Sequence, residues 1–187
     1  MVAAERVLGY LTRHRDIGLR YTPDQGDLHG FSDSDWAVRH STSGWLFMYS
    51  SAAVNWGGTK QPTIALSSCE AEIMAASEGA KDGICLTRFV EELGLPNRNA
   101  TVMGVDNQSA IAIAYNPEHH ARTKHIDRRH YFIRECVEHG RLRVPFVATA
   151  ENVADFFTKP LMGKDFFRMR DRVMNVPRDA SSPPSPS

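Results

Sequence analysis

Cysteine is scarce in this chain. Cys69, Cys85 and Cys136 are odd in number and include no CxxC pair. That excludes a disulfide framework and a cysteine zinc site, and reads as reduced thiols in an intracellular protein. Long apolar runs are missing as well. Nothing approaches the roughly 18 residues of a membrane span, and no basic stretch followed by an apolar run and a cleavage site marks a secretory leader. Net charge is absent, with 22 Lys+Arg against 22 Asp+Glu, so any electrostatic footprint for nucleic acid has to be local. No internal repeat is present. What remains is 187 residues, 42% of them hydrophobic, enough for one domain of ordinary size with a real core.

Against these absences stand four acids in four short, separate words: Asp33 in FSDSDW, Glu72 in SSCEAEIMA, Asp106 in VDNQSA and Asp155 in ENVADFFTKP. Three of the words fall where a strand begins or ends, or where a helix opens. Acids so placed can meet in space while far apart in sequence. Converged carboxylates repel one another and need a cation, and hard divalent ions such as Mg²⁺ take oxygen ligands from carboxylates and phosphates. The residues therefore point to a metal-dependent phosphodiester hydrolase. Taken singly, each acid has a plainer explanation. Asp106-Asn107 can cap a helix, and Glu72 and Asp155 near helix starts suit the helix dipole.

Periodicity supplies the frame. Val7, Leu8 and Leu11 predict a short amphipathic helix over 2–14. Strands are expected over 28–36, 42–49 and 52–57, broken at Ser50-Ser51 and Gly57-Gly58, which makes an antiparallel meander. Ser67 opens a capping box with Glu70, and a helix follows towards Leu93, weakened at Gly79 and Gly83 and expected to bend or split there. A buried strand over 100–105, helices over 107–115 and 124–138, and a strand over 141–148 come next, with Pro145 placing that strand at an edge. Helices over 151–158 and 163–174 close the order, and the Pro/Ser-rich tail predicts disorder. The sum is a mixed sheet flanked by helices.

At these words the chain resembles the ribonuclease H domain at the C-terminal end of the Pol polyprotein of copia-type LTR retrotransposons. The matching words are FSDSDWA, STSGWLF, AVNWGGTKQPTIALSSCEAEIMA, EELGLP, VDNQSAIAIAYNP, RTKHIDRRHYFIRE and ENVADFFTKPL, in the family's order over roughly residues 28–162. The resemblance implies an α/β ribonuclease H-like fold, a five-stranded mixed sheet (three strands antiparallel, two parallel) flanked by helices. It implies a connecting segment over 1–27 that resembles the end of the reverse transcriptase region. The ribonuclease H-like domain then runs over 28–162, with a C-terminal helix over 163–176 and a tail over 177–187. The family's catalytic and metal-binding acids fall on Asp33, Glu72, Asp106 and Asp155, in preference to the neighbouring Asp35 and Glu70.

The implied activity is cleavage of the RNA strand of RNA–DNA hybrids during reverse transcription. Two Mg²⁺ ions, with Mn²⁺ able to substitute, carry the hydrolysis. Asp33 bridges them, Glu72 and Asp106 hold one, and Asp155 holds the other. The implied partners are the hybrid and the reverse transcriptase region of the same polyprotein, with no membrane, and the implied place is cytoplasmic (a virus-like particle) or nuclear. The alternative is a catalytically inactive nucleic-acid-binding remnant.

Further residues join the expectation for nucleic acid. The segment HHARTKHIDRRHYFIR holds Arg122, Lys124, Arg128, Arg129 and Arg134 against one acid, Asp127. This local basic stripe suits phosphate contacts or a plain exposed face. Asn107 and Gln108 stand beside Asp106 and are expected to contact the nucleic acid. His119, His120, His125 and His130 lack the paired spacing of a structural zinc site. Trp36, Trp45 and Trp56 are expected in the core rather than stacked on bases. Two departures from the family pattern stand out. Only Val38 to His40 separate DWA from STSG, a short connection expected to disturb the first hairpin beside Asp33. The loop VATAEN before Asp155 carries no histidine, which leaves proton handling there to water or to other groups.

Overall fold

The computed structural model describes residues 2–23, 27–37, 39–97, 100–116 and 127–177. His119, His120, Arg122, Lys124, His125, the side chains of Arg128 and His130, and the tail lie outside the described residues.

Three strands form the meander: β1 (His29–Asp35), β2 (Thr42–Tyr49) and β3 (Ala52–Lys60). Positive φ at Ser50 and Ser51 turns β2 into β3. Two shorter strands, β4 (Thr101–Gly104) and β5 (Leu142–Arg143), complete a five-stranded sheet in the order β3-β2-β1-β4-β5. The β1–β2 and β2–β3 pairs are antiparallel, and β1–β4 and β4–β5 are parallel. The mixed sheet expected from the sequence is therefore present.

The short connection after Asp35 leaves the first hairpin intact, contrary to expectation. Pairing runs without a break from His29 opposite Met48 to Asp35 opposite Thr42. Beyond it, the Ala37 amide donates to Ser41 Oγ at 3.3 Å. The strand expected over 141–148 is cut short at Pro145. Pro145 has no N–H for the ladder, so regular pairing stops after Arg143 and resumes only as a single bridge between Val105 and Phe146. β5 does lie at the sheet edge.

Helices cover both faces. On one side pack α2 (Ser68–Glu92), α3 (Gln108–Tyr115) and α4 (Asp127–Glu138). Their core contains Phe47, Ile73, Ala76, Ala80, Met103 and Ile133. On the other side Phe31, Leu46 and Met48 meet Val153, Ala154 and Val173, from the segment holding α5 (Asp155–Thr158) and α6 (Gly163–Met174). A helix α1 (Val2–Arg13) touches α6 through Tyr10 and Phe166, with ring centroids 5.4 Å apart.

The helix α2 is continuous through Gly79 and Gly83, not split. Those glycines are contact points. A β-carbon at Gly83 would collide with the Phe47 ring, and one at Gly79 would lie 3.1 Å from Trp45 Cβ and from Met103 Sδ. Close approach of helix to sheet offsets the propensity cost. Among the tryptophans, only Trp45 packs against the core, donating Nε1–H to Asp82 at 2.8 Å. Trp36 and Trp56 are 54% and 50% exposed, which corrects the expectation that both are core.

Candidate metal centre

Strand alternation decides what surrounds Asp33. Side chains two apart share a face, so Phe31 and Asp33 point towards α5 and α6 while Ser32 and Ser34 point towards α2. Asp33 is 1% exposed at the sheet centre. The parallel register sets Phe31 beside Gly104. Carried two residues on, it brings Asp106, just past the end of β4, alongside Asp33. Asn107 Oδ1 accepts from the Ala110 amide at 3.0 Å and caps α3. With Asn107 in the capping position, Asp106 is left for other work.

Glu72 comes from the second turn of α2, two residues past the first-turn acid Glu70. Ser67 caps that helix by accepting from the Glu70 amide, and Glu70 in turn accepts from the Leu66 amide at 2.7 Å. Glu70 is thereby committed to the helix start, and Glu72 faces the sheet. Its Oε1 accepts from the Ser34 amide at 3.2 Å and from Ser34 Oγ at 2.8 Å. Its Oε2 is buried with no hydrogen-bond partner. One oxygen each from Asp33, Glu72 and Asp106 lie within 4.8 Å of one another.

Such crowding shows in the acidities. Burial first, and then the charge of Asp33, push the Glu72 carboxyl up to about 8 against the pull of Ser34. Burial likewise raises Asp33, opposed by the Thr158 hydrogen bond and reinforced by the charge of Asp155. The donor set is three hard oxygens with one buried oxygen unsatisfied, which fits a divalent cation and not a soft metal.

Asp155 lies on the other side of Asp33. Asn152 is fully buried, and its Nδ2 donates to the Ser32 carbonyl at 2.9 Å. That bond ties the incoming loop to β1. Thr158 Oγ1 donates to Asp33 Oδ2. Gly44 pairs with Asp33 across β1–β2, and a β-carbon there would lie 2.6 Å from Thr158 Cγ2 and 3.0 Å from Phe157 Cβ. The missing side chain is what lets α5 settle against the sheet. Lys159 then spans both acids, with Nζ 2.8 Å from Asp155 Oδ1 and 3.4 Å from Asp33 Oδ2. Burial disfavours its charge, but the hydrogen bond to Asp155 and the charge of Asp33 outweigh that and raise its pKa.

Of the four acids singled out in the sequence, Asp33, Glu72 and Asp106 converge on one point. Asp155 is brought to Asp33 through α5 and is paired with Lys159. Ser34, Asn152, Thr158 and Lys159 were missed as site residues, although the words FSDSDW and ENVADFFTKP contain all of them. Gln108 is exposed at the start of α3 and Arg129 is half-buried in α4. Arg134 is buried, and its guanidinium donates to the Asn116 carbonyl at 3.1 Å, so it supports α3 and not a phosphate.

No protein-family model matches the chain. It is 45% identical over 175 residues to the retrovirus-related Pol polyprotein from transposon TNT 1-94 of Nicotiana tabacum, covering 91% of this chain. It is 34% identical over 182 residues to the corresponding polyprotein from transposon RE2 of Arabidopsis thaliana, covering 94% of this chain. The chain spans only 13% and 12% of the length of those two relatives. Among solved structures it is similar in fold to LC11-RNase H1 in complex with an RNA/DNA hybrid. There the TM-score is 0.53 at 11% identity, over 70% of this chain and 93% of the other.

Proposed function

The chain is a ribonuclease H-like domain of the retrotransposon Pol polyprotein family, and from that premise we propose that it hydrolyses the RNA strand of RNA–DNA hybrids formed in reverse transcription. The observation that carries this reading is the convergence of Asp33, Glu72 and Asp106, with Glu72 Oε2 buried and unsatisfied. Asp33, Glu72 and Asp106 would hold one Mg²⁺, for which Mn²⁺ could substitute. Asp33 and Asp155 would hold a second ion, on the side where Lys159 now stands. Divalent ions so held supply a nucleophilic water at neutral pH and positive charge for the phosphodiester's developing negative charge.

The chain's own residues set up that chemistry. Ser34 fixes Glu72 by two hydrogen bonds to one oxygen and leaves the other oxygen for the ion. The proton that burial places on Glu72 has to leave when an ion loads. Thr158 fixes Asp33 Oδ2, which restrains rotation of the carboxylate. Exposed Gln108 and half-buried Arg129 follow Asp106 in the chain and are proposed contacts for the hybrid. Recognition through 2′-hydroxyls and backbone shape suits a hybrid better than base reading does. The reverse transcriptase region of the same polyprotein is the proposed partner in holding the substrate.

The test is cleavage of an end-labelled RNA–DNA hybrid in Mg²⁺, beside single-stranded RNA and duplex DNA. Metal-dependent cuts confined to the hybrid's RNA strand are expected. Binding of the hybrid without any cut in Mg²⁺ or Mn²⁺ would replace this reading with that of a catalytically inactive nucleic-acid-binding remnant. One observation favours that second reading, namely that Lys159 already stands within ion-pair distance of both Asp33 and Asp155.

A further inference from the structure

Lys159 occupies a position that the hydrolase reading assigns to a cation. Its ammonium contacts Asp155 Oδ1 at 2.8 Å and Asp33 Oδ2 at 3.4 Å. Both acids are buried, whereas the lysine side chain is 34% exposed. The i,i+4 spacing in and just beyond α5 aims Lys159 and Asp155 at one another. α5 is itself held against the sheet by Gly44 and Thr158. On the opposite side of Asp33 no such internal cation is paired with an acid among the described residues. Glu72 Oε2 stays unsatisfied there, and Glu72 shares that side with the carboxylates of Asp33 and Asp106. One side of the same aspartate is therefore finished by protein, and the other is left for a ligand.

We propose that Lys159 is a displaceable internal cation, so that the free domain loads one divalent ion, on Asp33, Glu72 and Asp106, and admits a second beside Asp155 only when the ammonium swings out. The inference rests on the metal-dependent reading above. It adds an order of loading and makes Lys159 a positioning residue, which holds Asp33 and Asp155 in place until the second ion arrives. The partly exposed side chain and the extended backbone at Lys159, just past the end of α5, give the side chain a route to solvent. An arriving phosphate backbone offers the ammonium an alternative partner, which couples displacement to substrate.

The experiment is a Mn²⁺ titration of the intact chain without nucleic acid, read as bound ions per chain, for the wild type, Lys159→Met and Lys159→Arg. One tight ion is expected for the wild type and for Lys159→Arg. Lys159→Met is expected to take two, the second bound at least ~10-fold more tightly than in the wild type. One ion on both wild type and Lys159→Met overturns the proposal while leaving the metal reading intact. No ion on either overturns the metal reading itself.

A second measurement needs no variant. Amine-reactive labelling followed by mass spectrometry should find Lys159 protected relative to exposed Lys164, with protection kept at Mn²⁺ levels that fill the first site and lost at higher levels. Unchanged Lys159 reactivity across the whole range would overturn the proposal even if Lys159→Met failed to fold. Neither readout depends on turnover.

Discussion

The two sides of Asp33 solve the same electrostatic problem in opposite ways. Towards α5, Asp155 is matched by Lys159 and Asp33 receives the Thr158 hydroxyl. Towards α2, Asp33, Glu72 and Asp106 crowd together, and Glu72 is pushed up to about 8 by burial and by its neighbour's charge. The first side is satisfied by its own residues and contributes to the fold. The second is unfavourable without a ligand, since a buried charge that lacks a partner costs several kcal/mol or takes up a proton instead. A local conflict kept at the centre of an otherwise consistent sheet marks the place where binding, not folding, explains the residues.

The contrast breaks most completely at the residue both sides share. Asp33→Asn is expected to lower metal-dependent cleavage of a hybrid by on the order of 10²–10³-fold, measured as initial rates at saturating Mg²⁺, with far-UV circular dichroism unchanged. Retained activity would remove Asp33 from the chemistry.

Gly44→Ala attacks the satisfied side alone. The added β-carbon collides with Thr158 and has to push α5 outward. Chemical denaturation should show a loss of about 1–3 kcal/mol, together with a cleavage defect, while ion binding at the Glu72 side persists. Equal losses of ion binding would mean that the two sides are not separable.

The acidity of Glu72 sharpens the comparison through pH. Its folded pKa, about 8, stands above the ordinary 4.5. The metal-free fold therefore keeps its full share of stability from this group below about 4.5 and loses it as pH rises towards 8, where the loss levels off. Metal-free melting temperature should fall across that window. Stabilisation by Mg²⁺ should grow across it, because loading requires the proton to leave. Glu72→Gln should flatten the metal-free slope and melt higher at pH 8, by on the order of 5 °C. A slope that survives Glu72→Gln would assign it to another group. The smallest expected effect lies just outside the crowded side. Asn107→Ala removes the α3 cap at a cost of about 1 kcal/mol, and calorimetry should find Mg²⁺ affinity nearly unchanged.

Much of this was legible in the sequence, unevenly and for physical reasons. The meander and the edge position of β5 followed from strand breaks and from Pro145. The acids stood out because each lay in its own word, three of the words at an element boundary. Continuity of α2 did not, since helix propensity penalises Gly79 and Gly83, while their value is a contact with Trp45, Phe47 and Met103 that only the folded sheet creates. Trp36 was hidden in a similar way. A strand-end tryptophan suggests core, yet its Nε1–H donates to the Ala65 carbonyl at 3.2 Å with the ring half in solvent. Lys159 was in plain view after FFT, but its role depends on the turn of α5 aiming it back at Asp155 and across at Asp33. That pairing between residues 33 and 159 is tertiary and leaves no trace in local spacing.

The claim beneath all of this is that three carboxylates converge to hold an ion. Isothermal calorimetry of Mg²⁺ binding to the wild type and to Asp106→Asn at pH 7, in two buffers of different ionisation heat, measures it most directly. The expected result is saturable binding to the wild type with release of about one proton, from Glu72, and affinity at least ~10-fold weaker in Asp106→Asn. Identical isotherms for the two chains, or binding without proton release, would contradict it.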